Sequence, residues 1–413
     1  MFTIKEIMKV IAGARVMGQG SRRIRQISID SRTVKPGELF IPIKGPKFDG
    51  RKFIPAALKK GALILDVKDG LKALQALAAY HRSKFKIPVI GVTGSVGKTT
   101  TKDMIASVLS QALPTLKNEE NYNNEVGVPL TLLKLTKKHK AVVIEMAMQG
   151  LGEIELLAKI VRPTIAVVTN IGESHLEFLK TTKNIAKAKS EIFQYLRKGD
   201  YAVINQDDEY FEHLNSKVKS QKSKIMTFGI IEKADITPKE LKGIELPIPG
   251  EHNIYNALAA VAVAKILKLK KEQIKRGLEK FKPSSKRMEV INRKDRVKII
   301  NDTYNASPQS MRAALRLMEA IGCDNCRKIA VLGDMLELGK TAKAAHQKIV
   351  RLAKELKVDK VFAFGQLWPK NITAEKSKKV LIKKLKKFIR PRDIILVKGS
   401  RGMRMEEVVD ALR

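Results

Sequence analysis

One segment constrains the fold more than any other, the glycine-rich run at residues 91–99, Gly-Val-Thr-Gly-Ser-Val-Gly-Lys-Thr. The apolar residues just before it predict a buried strand, and residues 104–112 place apolar side chains at helical spacing. Backbone N–H groups of such a turn, and of the helix that follows, can surround phosphate oxygens without steric conflict. The order of strand, loop and helix therefore predicts the start of a nucleotide-binding domain.

The loop also predicts roles for its own side chains. Lys98 is placed to reach the β- and γ-phosphates of ATP or GTP, and Thr99 to reach a magnesium ion. The strict phosphate-loop pattern fails at one position, because Val92 stands where its first glycine is expected. An accidental glycine-rich turn is the alternative. The remaining residues predicted to contact the nucleotide here are Gly94, Ser95, Gly97 and Thr100.

The pattern along the chain divides it into three α/β units. Residues 1–84 give a short helix, an alternating run and a short strand. Residues 85–283 alternate apolar strands with amphipathic helices, which predicts a parallel sheet covered on both faces. A Pro/Ser-rich joint at 282–286 precedes a separate strand and helix rhythm in residues 284–413. The predicted fold class is α/β with three domains.

The chain is strongly basic, with 80 Lys and Arg against 42 Asp and Glu and a formal charge of +38. Such an excess attracts nucleic acid, anionic membrane or a polyanionic small substrate. Because aromatic residues make up only 5%, a generally cationic solvated surface is favoured over a specific polyanion site. No apolar run approaches the length of a membrane span.

The two cysteines, Cys323 and Cys326, form a Cys-x-x-Cys pair that could belong to a redox or zinc site. No second pair accompanies them, which favours an ordinary loop in a reducing compartment. We therefore expect a soluble, cytoplasmic and monomeric protein without membrane insertion or a specific nucleic-acid partner.

Several segments together resemble one family. Residues 93–99 are similar to the phosphate loop of the Mur ligase superfamily, which includes folylpolyglutamate synthetases, and residues 30–45 resemble the UDP-binding segment of two of its ligases. Residues 121–133, 300–308 and 331–339 resemble the members that add a terminal dipeptide. The resemblance implies an N-terminal UDP-binding domain, a central P-loop ATPase domain and a C-terminal Rossmann-like domain.

The activity that the resemblance implies is ATP-dependent amide-bond formation in peptidoglycan precursor synthesis. The substrates would be UDP-N-acetylmuramoyl-tripeptide and D-alanyl-D-alanine. ATP would phosphorylate the terminal carboxylate of the tripeptide, and the amine of the dipeptide would attack the acyl phosphate. Mg²⁺ would neutralise the charge that gathers between the two anions.

The resemblance also implies metal-binding and catalytic residues. Glu145 resembles a magnesium-binding glutamate, and His175 resembles a histidine that holds a second magnesium. Lys189 matches a lysine that is carbamylated in many relatives, where added CO2 makes it an oxygen ligand. The alternatives are an exposed strand-end carboxylate, a packed histidine and an unmodified amine. With Thr99 these residues form the predicted metal set, and Lys98, Lys189 and His175 are the predicted catalytic residues.

The remaining predicted contacts belong to the nucleotide and the substrates. For ATP they are Asn253 and Asn256 on the adenine side, with helix capping as the alternative, and Arg287 and Asp302 at the hinge and in the last domain. Closure of the domains would then complete the site and exclude water. For the substrates, where a purely structural role is the alternative, they are Ser31 and Arg32 for UDP, Asn124 for the tripeptide, and Asn305 and Ser307 for the dipeptide.

Three rival functions remain at this point. A sister ligase that adds the third residue, or a folylpolyglutamate synthetase, would share the predicted metal and phosphate residues, but residues 304–308 and 333–338 argue against both. A basic P-loop protein that binds nucleic acid would need a reading module, and none is recognisable. One departure from relatives is a short segment at residues 229–250, which predicts that an accessory β-hairpin is trimmed.

Overall fold

The computed structural model describes residues 2–18, 23–45, 48–322 and 326–413, so Cys323 and the interpretation of the Cys-x-x-Cys pair lie outside the described residues. In the N-terminal part that is described, a four-stranded sheet has the order β2-β6-β5-β4, and β1 pairs with β3. The strands are β1 (Phe2–Thr3), β2 (Arg15–Met17), β3 (Arg23–Ile24), β4 (Ile27–Ser28), β5 (Leu39–Phe40) and β6 (Leu63–Asp66), and the helices are α1 (Ile4–Val10), α2 (Ile54–Lys59) and α3 (Gly70–Ser83).

The central sheet has six parallel strands in the order β12-β11-β10-β7-β9-β8, all within the continuous described range 48–322. Its strands are β7 (Val89–Thr93), β8 (Thr115–Lys117), β9 (Ala141–Glu145), β10 (Ile165–Val168), β11 (Tyr201–Asn205) and β12 (Lys224–Phe228). The helices of this region are α4 (Lys98–Leu109), α5 (Gly127–Leu132), α6 (Glu153–Val161), α7 (Leu176–Leu179), α8 (Thr182–Ser190), α9 (Phe211–Ser220), α10 (Glu251–Ile266) and α11 (Lys271–Glu279).

Helices cover both faces of the central sheet. Successive residues of β7 point to opposite faces, so Val89 packs into one hydrophobic core while Ile90 and Val92 pack into another. The first core continues into the N-terminal sheet, and the second is closed by α4, α10 and α11. Because both faces of this sheet are buried, its inner strands are continuously apolar.

The last sheet, traced over the described residues beyond 288, has the order β13-β14-β18-β15-β16-β17, with β13 antiparallel to its neighbour. Its strands are β13 (Glu289–Asn292), β14 (Lys298–Asp302), β15 (Lys328–Gly333), β16 (Lys360–Phe364), β17 (Ala374–Glu375) and β18 (Ile394–Lys398). The helices are α12 (Pro308–Ala320), α13 (Ala342–Glu355), α14 (Lys378–Phe388) and α15 (Glu406–Leu412). The predicted α/β class with parallel sheets is confirmed.

The segment at 229–250, all of it described, carries an isolated bridge from Phe228 to Ile236 and a 3-10 turn at Pro238–Leu241 in place of a hairpin. The segment therefore forms no β-hairpin of its own, and its trimming relative to relatives stays a prediction. Across the described residues, none of the helices has the length and apolar character needed to cross a membrane.

A buried arginine joins the N-terminal region to the central one. Arg82, in the last turn of α3, donates from Nε to the carbonyl of Val161 (3.0 Å) and from its terminal nitrogens to Phe85 (2.8 Å) and Arg162 (3.2 Å). Two of these carbonyls end α6, where the helix dipole favours a cation. Burial is the main reason that the pKa of Arg82 falls to about 10.

Replacing Arg82 by alanine is expected to lower the free energy of unfolding by about 2–4 kcal/mol, because buried carbonyls lose their donor. The measurement is urea denaturation followed by circular dichroism. Lys86→Ala is the matched control, since Lys86 is exposed nearby and its loss should change stability by less than about 0.5 kcal/mol. An Arg82→Ala midpoint equal to that of the wild type would contradict the assignment.

Candidate active site

A cavity of about 310 Å³ lies where the carboxyl ends of strands from the two larger sheets meet. Glu145 ends β9, Asp302 ends β14 and Lys398 ends β18, and all three line it. Parallel α/β sheets generally place ligands at this edge. The structure brings thirteen of the predicted site residues to this cavity: Ser95, Gly97, Lys98, Thr99, Thr100, Glu145, His175, Asn253, Asn256, Arg287, Asp302, Asn305 and Ser307.

The phosphate loop depends on two glycines. Gly94 has a φ of +150°, and a Cβ there would lie 1.9 Å from Thr169 Oγ1. Gly97 has a φ of +85°, and a Cβ there would lie 2.4 Å from Asn256 Oδ1. Val92, the departure from the strict motif, is a buried residue of β7 rather than part of the turn. The loop therefore keeps its shape without the first glycine.

Two lysines converge on the carbonyl of Gly94. Lys98 Nζ donates to it at 2.8 Å and to the carbonyl of Ser95 at 3.1 Å, while Lys189 Nζ approaches at 2.9 Å. Burial lowers the pKa of Lys98, and the charge of Glu145 partly offsets that effect. Burial, followed by the charge of Lys98, holds the pKa of Lys189 well below its usual value. Lys98 faces the cavity, whereas Lys189 is only 1% exposed and does not line it.

Glu145 is held by hydroxyl and amide groups. Its Oε2 accepts from Thr99 Oγ1 at 2.8 Å, and its Oε1 accepts from Asn123 Nδ2 at 2.9 Å. The buried ammonium of Lys102 lies 3.9 Å away. Hydroxyl and carboxylate oxygens side by side are the hard ligands that Mg²⁺ prefers, so the donor set fits that ion. Asn123 and Lys102 were not predicted as site residues, although Asn123 lies within the segment 121–133 and Lys102 follows the phosphate loop.

The nucleotide-side asparagines are largely buried and bonded to their surroundings. Asn253 Nδ2 donates to the carbonyl of Pro249 (2.8 Å), and Asn256 Nδ2 donates to Asn253 Oδ1 (3.1 Å). Thr101 Oγ1 donates to Asn256 Oδ1 at 3.0 Å, which ties the start of α10 to the phosphate-loop helix α4. Both asparagines line the cavity, and their hydrogen bonds support the phosphate loop. Their contact with the nucleotide stays a prediction.

The last domain supplies the opposite wall. The guanidinium of Arg287 stacks 3.7 Å from the ring centre of Tyr304, and its buried Nε has no hydrogen-bond partner in the described part of the chain. Lys398 Nζ forms an ion pair with Asp302 and donates to the carbonyl of Asn305 at 2.8 Å. Burial lowers the pKa of Lys398, and the charge of Asp302 opposes that shift. Lys398, the last residue of β18, was not among the residues predicted from the sequence.

His175 contacts Glu337, a residue that was not predicted to be functional. Its Nδ1 lies 2.7 Å from Glu337 Oε2. This hydrogen bond is the main cause that lowers the pKa of Glu337. Both side chains line the cavity from different domains.

Five predicted residues lie outside the cavity lining. Gly94 belongs to the phosphate loop, and the buried Lys189 contacts its carbonyl. Ser31 and Arg32 are in the N-terminal region, where Arg32 pairs with Asp30 at 2.7 Å and is the main cause that lowers the pKa of that carboxyl to about 2. Asn124 Oδ1 accepts from the backbone N–H of Gly127 at 2.9 Å, which is a helix-start arrangement.

Ser307 likewise caps a helix, since its Oγ accepts from the backbone N–H of Ser310 at 3.3 Å at the start of α12. It also lines the cavity. Asn124 and Ser307 therefore each stabilise the start of a helix. Their substrate roles remain predictions.

Comparisons with known proteins agree with this architecture. Three protein-family models match the chain: Mur ligase family, catalytic domain, at residues 23–134; Mur ligase middle domain at 92–264; and Mur ligase, glutamate ligase domain, at 286–401. The UDP-N-acetylmuramoyl-tripeptide--D-alanyl-D-alanine ligase of Bacillus subtilis (strain 168) is 35% identical, covering 99% of this chain and 98% of that protein.

Two solved structures are similar over nearly their whole length. MurF from Acinetobacter baumannii has a TM-score of 0.91 at 32% identity and covers 100% of this chain and 98% of that one. MurF ligase from Thermotoga maritima, solved in complex with ADP, has a TM-score of 0.83 at 28% identity, with 94% and 96% covered.

Proposed function

The chain belongs to the Mur ligase family, and on that premise we propose that it joins D-alanyl-D-alanine to UDP-N-acetylmuramoyl-tripeptide in an ATP-dependent reaction. One observation carries the proposal beyond the similarity. The phosphate loop and the segment that contains Asn305 and Ser307 line the same cavity from two domains. A phosphoryl donor and an attacking amine can therefore meet there.

The proposed reaction has two steps. The terminal carboxylate of the tripeptide attacks the γ-phosphorus of ATP, and ADP leaves. The amine of the dipeptide then attacks the acyl carbon, phosphate leaves, and the nitrogen loses a proton. Phosphorylation is needed because a carboxylate is a poor electrophile without a good leaving group. An enclosed cleft protects the acyl phosphate from water.

The residues of this chain have distinct proposed roles. Lys98 places its cation against the β- and γ-phosphates, and Arg287 and Asp302 contact ATP from the closing domain. Thr99 and Glu145 would hold Mg²⁺, and His175 would hold a second ion. When bound, magnesium supplies positive charge against the phosphate oxygens. Gly94, Ser95, Gly97 and Thr100 shape the phosphate site, with Asn253 and Asn256 on the adenine side.

Lys189 is proposed to be carbamylated. Its nitrogen would add to CO2 and lose a proton, which replaces a cation by a carboxylate-like ligand. The lowered pKa supports this proposal, because only the neutral amine reacts with CO2. The other proposed substrate contacts are Ser31 and Arg32 for UDP, Asn124 for the tripeptide, and Asn305 and Ser307 for the dipeptide.

We further propose domain limits of 1–84, 85–283 and 284–413, which follow the composition shifts and leave each sheet whole. A cytoplasmic monomer is the proposed form, since one chain supplies the phosphate loop, the oxygen ligands and the closing domain. The charge of +38 then serves the capture of an anionic, UDP-linked substrate.

The test is to incubate the protein with ATP, Mg²⁺ and one acceptor, which is UDP-N-acetylmuramoyl-tripeptide, its dipeptide precursor or folate, adding either D-alanyl-D-alanine or single amino acids. Phosphate release and the product mass are measured together. We expect phosphate release and the product mass only when D-alanyl-D-alanine is added to the tripeptide substrate. Turnover with glutamate and folate, but not with D-alanyl-D-alanine, would show that the chain is a folylpolyglutamate synthetase. Addition of a diamino acid to a dipeptide precursor would indicate the sister ligase.

A further inference from the structure

The segments around His175 and Glu337 form a single unit across the cleft. Besides the 2.7 Å contact between Nδ1 and Oε2, the backbone N–H of Glu177 donates to the carbonyl of Glu337 at 3.0 Å. Leu176 packs against the core of the central domain and also against that of the last domain. The histidine is therefore held from both domains at once.

Both partners adopt a backbone conformation that is unfavourable for their residue types. His175 has a φ of +54° and Glu337 a φ of +64°. The left-handed region is sterically unfavourable for a residue with a side chain.

The two ring nitrogens of His175 have different surroundings. Nδ1 is engaged by Glu337, whereas Nε2 makes no hydrogen bond to any residue that the structure describes. The side chain is 20% exposed and lines the cavity. Histidines that bind a metal commonly donate the other ring N–H to a carboxylate, which fixes the tautomer and the ring orientation. The arrangement matches that pattern.

We propose that Glu337 is a positioning residue for metal binding: it fixes the His175 ring through Nδ1 and leaves Nε2 available to the second metal ion. This inference rests on the proposed function. Because Glu337 belongs to the last domain, the metal site is complete only when the two domains are together. An ordinary surface ion pair is the opposing interpretation, since Glu337 is 39% exposed and such pairs contribute little.

The experiment titrates Mn²⁺ into the full-length protein with a non-hydrolysable ATP analogue and counts bound ions by electron paramagnetic resonance. In the wild type we expect a second ion whose binding is lost in His175→Ala. Glu337→Ala should weaken that ion about 10–100-fold, as is typical for a partner of a metal ligand. Glu337→Gln should recover most of the affinity, because its amide oxygen still accepts from Nδ1–H. Glu355→Ala, an exposed site on α13, should match the wild type.

Two results would overturn the inference: a Glu337→Ala variant that binds Mn²⁺ like the wild type, or a Glu337→Gln variant as weak as Glu337→Ala, which would make the carboxylate itself a ligand. Nitrogen-15 NMR of the wild type with Mg²⁺ and the analogue needs no variant to fold. It should show His175 protonated at Nδ1, and protonation at Nε2 alone would contradict the proposal. Product formation with D-alanyl-D-alanine is measured separately, so Glu337-dependent metal binding without that product would refute the proposed function alone.

Discussion

Lys98→Ala is expected to reduce ATP-dependent product formation by about 10³-fold or more, the scale of losing a main electrostatic contact to the reacting phosphate. The ammonium already lies in the phosphate loop, where it donates to the carbonyls of Gly94 and Ser95. Those bonds hold the side chain at the loop, where the phosphate oxygens of the proposed ATP would replace the carbonyls as its partners. Alanine removes the cation, while the glycines that shape the loop remain.

The fold of this variant should be intact. Burial lowers the pKa of Lys98, which means that the folded chain without nucleotide disfavours the charge. Its removal should therefore leave the circular dichroism spectrum unchanged. Lys219→Ala, at an exposed site on α9 in the same domain, is the control and should keep full activity. Near-wild-type turnover by Lys98→Ala would exclude the phosphate loop as the site of ATP activation.

Much of the fold could be predicted because its strands are short apolar runs between amphipathic helices. The strands β7, β9, β10 and β11 are such apolar runs, whereas β8 and β12 are not. β8 has three residues and none of them is fully buried, and in β12 only Phe228 is buried. An edge strand that faces solvent has little apolar signal, so its pairing with a neighbour decides its conformation.

The site was predictable where its chemistry lies in one continuous motif. The phosphate loop and Glu145 are of this kind. Glu337 and Lys398 are not, because their partners, His175 and Asp302, are 162 and 96 residues away in the chain. The contact between His175 and Glu337 depends on how the last domain sits against the central one, and the contact between Asp302 and Lys398 depends on the pairing of β14 with β18. A sequence motif can include such a residue, but only the folded structure shows which residue it contacts.

Substitution of Lys189 tests the proposed mechanism rather than the fold. Lys189 is a buried amine at the phosphate loop, 2.9 Å from the carbonyl of Gly94, and burial lowers its pKa, which increases the fraction of neutral amine. Carbamate formation needs that neutral form. As the pH falls through the lowered pKa, the amine takes up a proton and the carbamate is lost. Activity that depends on the carbamate should therefore fall on the acid side and should need bicarbonate in CO2-depleted buffer.

Lys189→Ala is accordingly expected to lose about 100- to 1000-fold in turnover, since an oxygen ligand close to the reacting phosphate disappears. Acetate or formate in excess should restore part of the activity by occupying the vacated position, whereas chloride at equal ionic strength should not. An unmodified ammonium would repel the metal ion rather than bind it, so the rescue separates the two states. Carbon-13 NMR of the active wild type under labelled CO2 should show one carbamate that Lys189→Ala lacks. Rescue by chloride as well, or an active metal-loaded enzyme without that signal, would make Lys189 a phosphate or structural contact.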